Sequence, residues 1–227
     1  MIEVIGVKKG FDGNQVINGV NLKVETGKSL VVLGPSGIGK TVLLKIMVRL
    51  LWPDDGDVRY DGISIFRLGE SELNRIRQKV GFVFQSSALF DSMTVFENVA
   101  LRLIETGTKD IGGRVGAILD DFRLDQAIHL YPNEISGGMK KLVALARAIV
   151  TDPDYLFYDE PTAGLDPATS ERIVSEIIRL KKKVGATSVI VTHDLDVAFK
   201  VGDEVMMLKR GQVFPVGSKK EARRYYE

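Results

Sequence analysis

Eight consecutive residues constrain this chain more than any others: Gly34-Pro35-Ser36-Gly37-Ile38-Gly39-Lys40-Thr41. They follow an apolar run at 30–33 and precede a segment, about 40–51, that reads as a helix. G-x-x-x-x-G-K-[ST] between a strand and a helix is the P-loop pattern. Glycines let the backbone wrap closely, so that its N–H groups point inward at phosphate oxygens. The following helix adds the positive end of its dipole. Lys40 can reach β- and γ-phosphates as a point charge, and the Thr41 hydroxyl can ligand Mg²⁺. The plainer alternative is a glycine-rich turn that binds nothing; the flanking strand and helix favour the phosphate cradle.

Further apolar, β-rich runs at 80–84, 156–158, 189–191 and 205–208 are near-continuous rather than alternating. Strands of that kind are buried on both faces, which marks a mainly parallel sheet under helical cover, an α/β fold. Between two of them, Ile173, Ile177, Leu180 and Val184 share one helical face. Asp166-Pro167 starts that helix and Gly185 ends it. The first ~25 residues differ: 4–8 and 15–24 alternate around Asp12-Gly13-Asn14, which predicts a small antiparallel sheet. Residues about 90–135 carry no strand pattern and read as a mostly helical insertion. The four glycines of 107–116 predict a mobile loop there.

Four core strands run directly into polar or glycine elements at their C-terminal ends: Gly34, Gln85, Asp159-Glu160 and His193. Ligands of open parallel sheets bind at that edge. Two carboxylates at a buried strand end cost free energy unless a cation or proton meets them. Mg²⁺ at Asp159 resolves the first charge, and Glu160 is then placed to polarise a water aimed at the γ-phosphate. Two solvated acids opening a loop are the alternative. Ser136-Gly137-Gly138 precedes a helix over 139–150, which makes either a second anion site or an ordinary cap. His193 is either a structural histidine or a γ-phosphate contact; its sheet edge favours the second.

Composition sets the outer bounds. At 227 residues, 44% apolar and 27% charged, the chain can bury the core of one large domain, with room for a small inserted subdomain. A net charge of +1 gives no bulk attraction to nucleic acid or anionic lipid. The absence of cysteine excludes disulfides, thiolate zinc sites and a cysteine nucleophile. No secretory signal is expected from Met1-Ile2-Glu3-Val4, and no apolar stretch approaches the ~20 residues that span a bilayer. A membrane role would therefore require another chain.

Taken in order, Gly34–Thr41, Gln85, Ser136-Gly137-Gly138-Met139-Lys140, the strand ending in Asp159-Glu160, Ala163-Gly164-Leu165-Asp166 and His193 resemble the motifs of ABC ATPases. They look like the Walker A loop, Q-loop, signature, Walker B with catalytic glutamate, D-loop and H-loop. Phe11 is placed like the aromatic residue that stacks on adenine. The resemblance implies one nucleotide-binding domain over 1–227. Residues 1–90 and 150–227 would form the RecA-like core with its β subdomain, and about 91–149 the helical subdomain. It implies ATP and Mg²⁺ as cofactors, with Thr41, Gln85 and Asp159 at the metal and Glu160, His193, Lys40 and Gln85 in catalysis. Nucleotide would be bound by Phe11, the loop Gly34, Pro35, Ser36, Gly37, Ile38, Gly39, Lys40 and Thr41, and by Ser136, Gly137, Gly138 and Asp166.

Two copies are expected to pack head to tail, so that Ser136, Gly137 and Gly138 of one meet ATP held by Lys40 of the other. A separate transmembrane permease would contact the Gln85 region and the helical insertion. That places the chain in the cytoplasm, peripheral on the inner face of the membrane, with no nucleic-acid partner. Met139 and Leu142 depart from the commonest signature, which has glutamine and arginine there. The run Gln85-Ser86-Ser87-Ala88-Leu89-Phe90-Asp91-Ser92-Met93-Thr94-Val95 is similar to ATPases of MCE-associated phospholipid transport, which would add an MCE-type substrate-binding protein. Amino-acid or osmolyte importers are the alternative, followed by a soluble, non-transport ABC ATPase. No large C-terminal regulatory domain is expected. Lys181-Lys182-Lys183 reads as a solvated face, and the basic C-terminal segment with Lys219, Lys220, Arg223 and Arg224 as solvated or touching a partner or lipid headgroups.

Overall fold

The chain opens as a hairpin, β1 (Ile2–Phe11) and β2 (Asn14–Val24). Asp12 and Gly13 take φ of 49° and 80°, the left-handed pair that a two-residue type I′ turn requires. Next come β3 (Ser29–Leu33), α1 (Lys40–Met47), β4 (Asp55–Tyr60), β5 (Ile63–Ser64), α2 (Glu70–Gln78) and β6 (Val80–Val83). Helices α3 (Val95–Glu105), α4 (Ile111–Asp121) and α5 (Gly137–Ile149) follow. The chain then runs through β7 (Tyr155–Asp159), α6 (Pro167–Val184), β8 (Thr187–Thr192) and α7 (Leu195–Val201). It finishes with β9 (Glu204–Lys209), β10 (Gln212–Pro215) and α8 (Lys219–Arg223). This computed structural model describes residues 1–225; Tyr226, second of the C-terminal tyrosine pair, lies outside them.

The core sheet has the order β10-β9-β3-β8-β7-β6, parallel throughout except for the antiparallel β9–β10 pair. Its continuous apolar strands are explained by two separate clusters, one on each face. Leu156 and Tyr158 of β7 pack with α5, α6 and α7, whereas Tyr155 and Phe157 pack with α1 and the hairpin. Strand alternation therefore divides one apolar run between two cores.

The second sheet, β2-β1-β4-β5, is antiparallel. Its first two strands match the expected hairpin; β4 and β5 were not foreseen. Asp55-Gly56-Asp57 has poor strand propensity, yet β4 pairs with β1 from Ile2↔Tyr60 to Lys8↔Asp55. Gly56 has φ 92°, and a Cβ there would lie 2.6 Å from the Gly6 backbone. Close strand approach selects glycine at that point.

Two further expectations are corrected. Only the first part of the glycine-rich segment 107–116 is a loop: 107–110 connect α3 to α4, which begins at Ile111, capped by the Asp110 carboxylate, which accepts from Gly113 N–H at 3.1 Å. Burial of Val115 and Leu119 holds this helix despite its glycines. Helix α1 ends at Met47 rather than near 51, because Arg49 adopts φ 53° and turns the chain back. By contrast α6 starts at the Asp166 cap and ends at left-handed Gly185, as its residues predict. Leu142 is fully buried among the α5 contacts, so the signature helix packs there through apolar contact. Lys181 pairs with Asp203 and Lys183 with Asp121, while Lys219 pairs with Asp196. No helix among the described residues is long and apolar enough to cross a membrane.

Candidate active site

The phosphate loop begins where β3 ends and closes at Gly39, whose φ of 111° caps α1. A Cβ at Gly39 would meet Val16 Cγ1 at 2.6 Å, so both backbone angle and space demand glycine. Lys40 follows, buried at 5% exposure. Its Nζ donates to the carbonyls of Gly34 at 2.7 Å and Pro35 at 3.0 Å, folding the loop around the ammonium.

At the end of β7 the two carboxylates take different partners. Thr41 Oγ1 donates to Asp159 Oδ1 at 2.8 Å. Burial pushes the Asp159 carboxyl up; the Thr41 hydrogen bond opposes this, Glu160 adds to it, and Lys45 and Lys40 pull down. Glu160 holds φ 45°, a left-handed conformation uncommon for a non-glycine residue. That bend turns its side chain between two partners, Lys40 Nζ at 3.0 Å and His193 Nδ1 at 2.9 Å. The His193 backbone N–H also donates to Glu160 Oε2 at 3.3 Å.

Phe11, Ser36, Gly37, Gly39, Lys40, Thr41, Gln85, Glu160 and His193 line one cleft of about 310 Å³, with Val16 and Val42. Ile38 packs its side chain into the hairpin-side core. Ser136, Gly137, Gly138 and Asp166 do not line that cleft. Ser136 caps α5 by accepting from Met139 N–H at 3.2 Å, and it is exposed. Gly138 lies against Thr169, with space for no more than a hydrogen, and Asp166 caps α6 through Thr169 N–H at 3.0 Å. These four residues therefore gather at a second place, around the adjoining starts of α5 and α6.

Sequence reasoning missed Val16, which nothing in an alternating hairpin distinguishes. It also missed Lys141, for which a signal existed: Gly138, Lys141, Leu145 and Ala148 share one helical face, and a lysine there is out of pattern.

Residues 17–163 match the family model described as ABC transporter. The chain belongs to that family and has the fold of an ATP-binding cassette. It is 40% identical over 223 residues to the sulfate/thiosulfate import ATP-binding protein CysA of Bradyrhizobium diazoefficiens, covering 96% of this chain and 63% of that protein. It is 39% identical over 213 residues to the intermembrane phospholipid transport ATP-binding protein MlaF of Haemophilus influenzae, covering 92% and 81%. An ATP-binding cassette solved as a dimer in a post-hydrolysis state with ADP and phosphate superimposes with a TM-score of 0.85 at 34% identity, over 94% of this chain and 96% of that one. The chain thus spans less than two thirds of the length of the sulfate-import relative.

Asp159 gives a test that needs no nucleotide. A carboxyl raised by folding stabilises the native state only while protonated, so its burden is absent below the ordinary carboxylate range and fully present at neutral pH. Asp159→Asn keeps an acceptor for Thr41 and removes the charge. Its melting temperature at pH 7 should rise by roughly 2–4 °C, the response of a chain of this size to about 1 kcal/mol, and the gain should shrink near pH 4. Thermal melts followed by circular dichroism at both pH values measure it. A lower melting temperature at pH 7 would contradict the burial account.

Proposed function

We propose that this chain binds ATP with Mg²⁺ in the cleft at the C-terminal edge of its core sheet and hydrolyses it. Two copies would close around the nucleotide to drive a separate membrane permease. The observation that carries this reading is the convergence of Lys40, Glu160 and His193 within hydrogen-bonding distance, beside the Thr41–Asp159 pair. Thr41, Asp159 and the Gln85 side chain offer oxygen donors, the set a hard divalent cation takes. Mg²⁺ bound there would neutralise charge developing on the phosphates. Lys40 holds the β- and γ-phosphates. Glu160 orients the attacking water and accepts its proton; His193 fixes the Glu160 carboxylate and faces the γ-phosphate. Phe11, exposed at the rim, supplies a ring face for adenine.

The exposed Ser136-Gly137-Gly138 start of α5 has no triphosphate site of its own within the protomer. Its dipole and free N–H groups suit the γ-phosphate held by a second copy, with Asp166 alongside. We take residues about 91–149 as the helical subdomain that carries it.

For the permease, an apolar groove runs between the α1–α2 region and α3, floored by Val80, Phe82 and Phe84. Leu50 lies on one rim and Phe90 on the other, both about half exposed. A short amphipathic helix of the membrane partner fits such a groove. Leu50→Asp should weaken capture of the permease by ~30-fold or more, as expected for a central apolar anchor, with basal ATP turnover within twofold. Capture unchanged in pull-downs from detergent-solubilised membranes would remove this surface from the proposal.

Cargo follows from the partner. We favour phospholipid transport with an MCE-type protein in the complex, supported by the Gln85-to-Val95 run and the identity with MlaF. Identities of 37–40% with methionine and sulfate importers support a small-solute importer as the alternative. Mass spectrometry of the complex purified from membranes separates them: a multi-span protein with an MCE-type partner and bound phospholipid favours the first, and a soluble solute-binding protein the second. Soluble partners alone would reject both.

A further inference from the structure

Lys141 is buried at 4% exposure in the middle of α5, although the proposed chemistry does not use it. Its ammonium donates to the backbone carbonyl of Gln85, across 56 positions of sequence. Six residues further along the same helix, Arg147 donates from Nη2 to Ser87 O and from Nη1 to Ala88 O, both at 2.7 Å. Three carbonyls of one short loop, those of Gln85, Ser87 and Ala88, thus accept from two cations of one helix, about 9 Å apart along its axis by helical rise.

The loop is shaped for this. Ser87 and Ala88 take φ of 64° and 44°, which non-glycine residues adopt only when surrounding contacts hold them there. Ser87 is buried, and its N–H donates to Phe84 O at 2.9 Å, closing the turn out of β6. Burial holds the Lys141 ammonium below the usual lysine range, while the Asp159 and Glu160 carboxylates favour its charged form. A buried lysine persists where it has such partners.

We propose that Lys141 and Arg147 are positioning residues that fasten the loop 85–88 to α5, so that the Gln85 side chain and Ser136 at the helix start move as one body. This rests on the proposed reading of Gln85 as a ligand at the nucleotide cleft. Its consequence is a mechanical link between two active sites. Gln85 serves the nucleotide of its own protomer, whereas Ser136 serves that of the other copy. Displacement of α5 at one site therefore resets Gln85 at the other.

Hydrogen exchange of the full chain, combined with ATPase kinetics and binding of a fluorescent ATP analogue, tests this. Lys141→Met should speed amide exchange of the peptide covering 85–90 by on the order of 10-fold or more, the scale of a lost charge-assisted hydrogen bond. kcat should fall by ~10–100-fold through misplacement of Gln85, with analogue affinity within threefold of the parent. Lys141→Arg, which keeps donor and charge, should restore both. Arg147→Lys, milder in its effect on packing, should raise exchange at 87–90 and leave the α5 amides protected. Unchanged exchange at 85–90 in Lys141→Met overturns the tether, even if turnover falls, since a purely electrostatic role of Lys141 would leave the loop in place. Lys141→Arg as impaired as Lys141→Met overturns it too. Gln85→Ala is the separate check on the site: it should lose turnover with exchange at 85–90 unaltered. Full turnover in Gln85→Ala would defeat the reading of Gln85, while loop exchange in Lys141→Met would still decide the tether.

Discussion

Glu160→Gln is expected to bind ATP with near-parental affinity, accumulate as a closed dimer, and lose on the order of 10²–10⁴ in kcat. The substitution is isosteric and keeps a group that His193 N–H and Nδ1 can meet, so the bend at φ 45° is retained. What disappears is the carboxylate proposed to accept a proton from the attacking water. Binding should be spared because the triphosphate is held by the phosphate loop, whose Lys40 is also relieved of its 3.0 Å ion pair with Glu160. Single-turnover ATPase assays with size-exclusion light scattering check both parts. Turnover equal to the parent would remove Glu160 from the chemistry.

Lys40→Ala is expected to fail earlier, at binding. Two charge-assisted bonds to phosphate at about 1.5–2 kcal/mol each correspond to a loss of roughly 10²–10³-fold in ATP affinity. Stability should fall as well. Lys40 and Glu160 are both almost fully buried, and removing one member of a buried pair leaves the other charge uncompensated. About 3 kcal/mol of destabilisation would lower the melting temperature by roughly 6–12 °C. Adding Glu160→Gln to Lys40→Ala should recover part of that temperature and none of the affinity, because the two residues couple in the fold but act separately on nucleotide. Calorimetric titration and thermal melts of the single and double variants give the comparison.

The site was legible where one mechanism fixes several neighbouring residue types at once. Phosphate binding needs glycine, lysine and a hydroxyl in consecutive order, and an apolar strand must end in acids to bring Asp159 to Thr41. The Asp12-Gly13 turn and the Asp166-to-Gly185 helix were legible because caps and left-handed positions are local demands. Other features depend on distant partners. β4 reads as a poor strand until β1 is laid beside it, and Gly56 is needed because the β1 backbone at residues 5–7 passes so close and its own φ is 92°. α4 contains three glycines, and burial of Val115 and Leu119 outweighs their cost. Lys141 was visible as a lysine on an apolar face, but its partner, a loop carbonyl 56 residues away, was not.

The same distinction bears on the dimer. Within one protomer, the Ser136-to-Gly138 start of α5 and the cleft lined by Lys40 are separate places, so neither alone surrounds a triphosphate. A crystal structure of Glu160→Gln with ATP and Mg²⁺ is the most direct test. The expected result has each nucleotide lying between Lys40 of one copy and the Ser136 hydroxyl and Gly138 N–H of the other, with both γ-phosphates inaccessible to solvent. A nucleotide wholly enclosed by a single copy, with Ser136 still facing solvent in the catalytically arrested form, would contradict it.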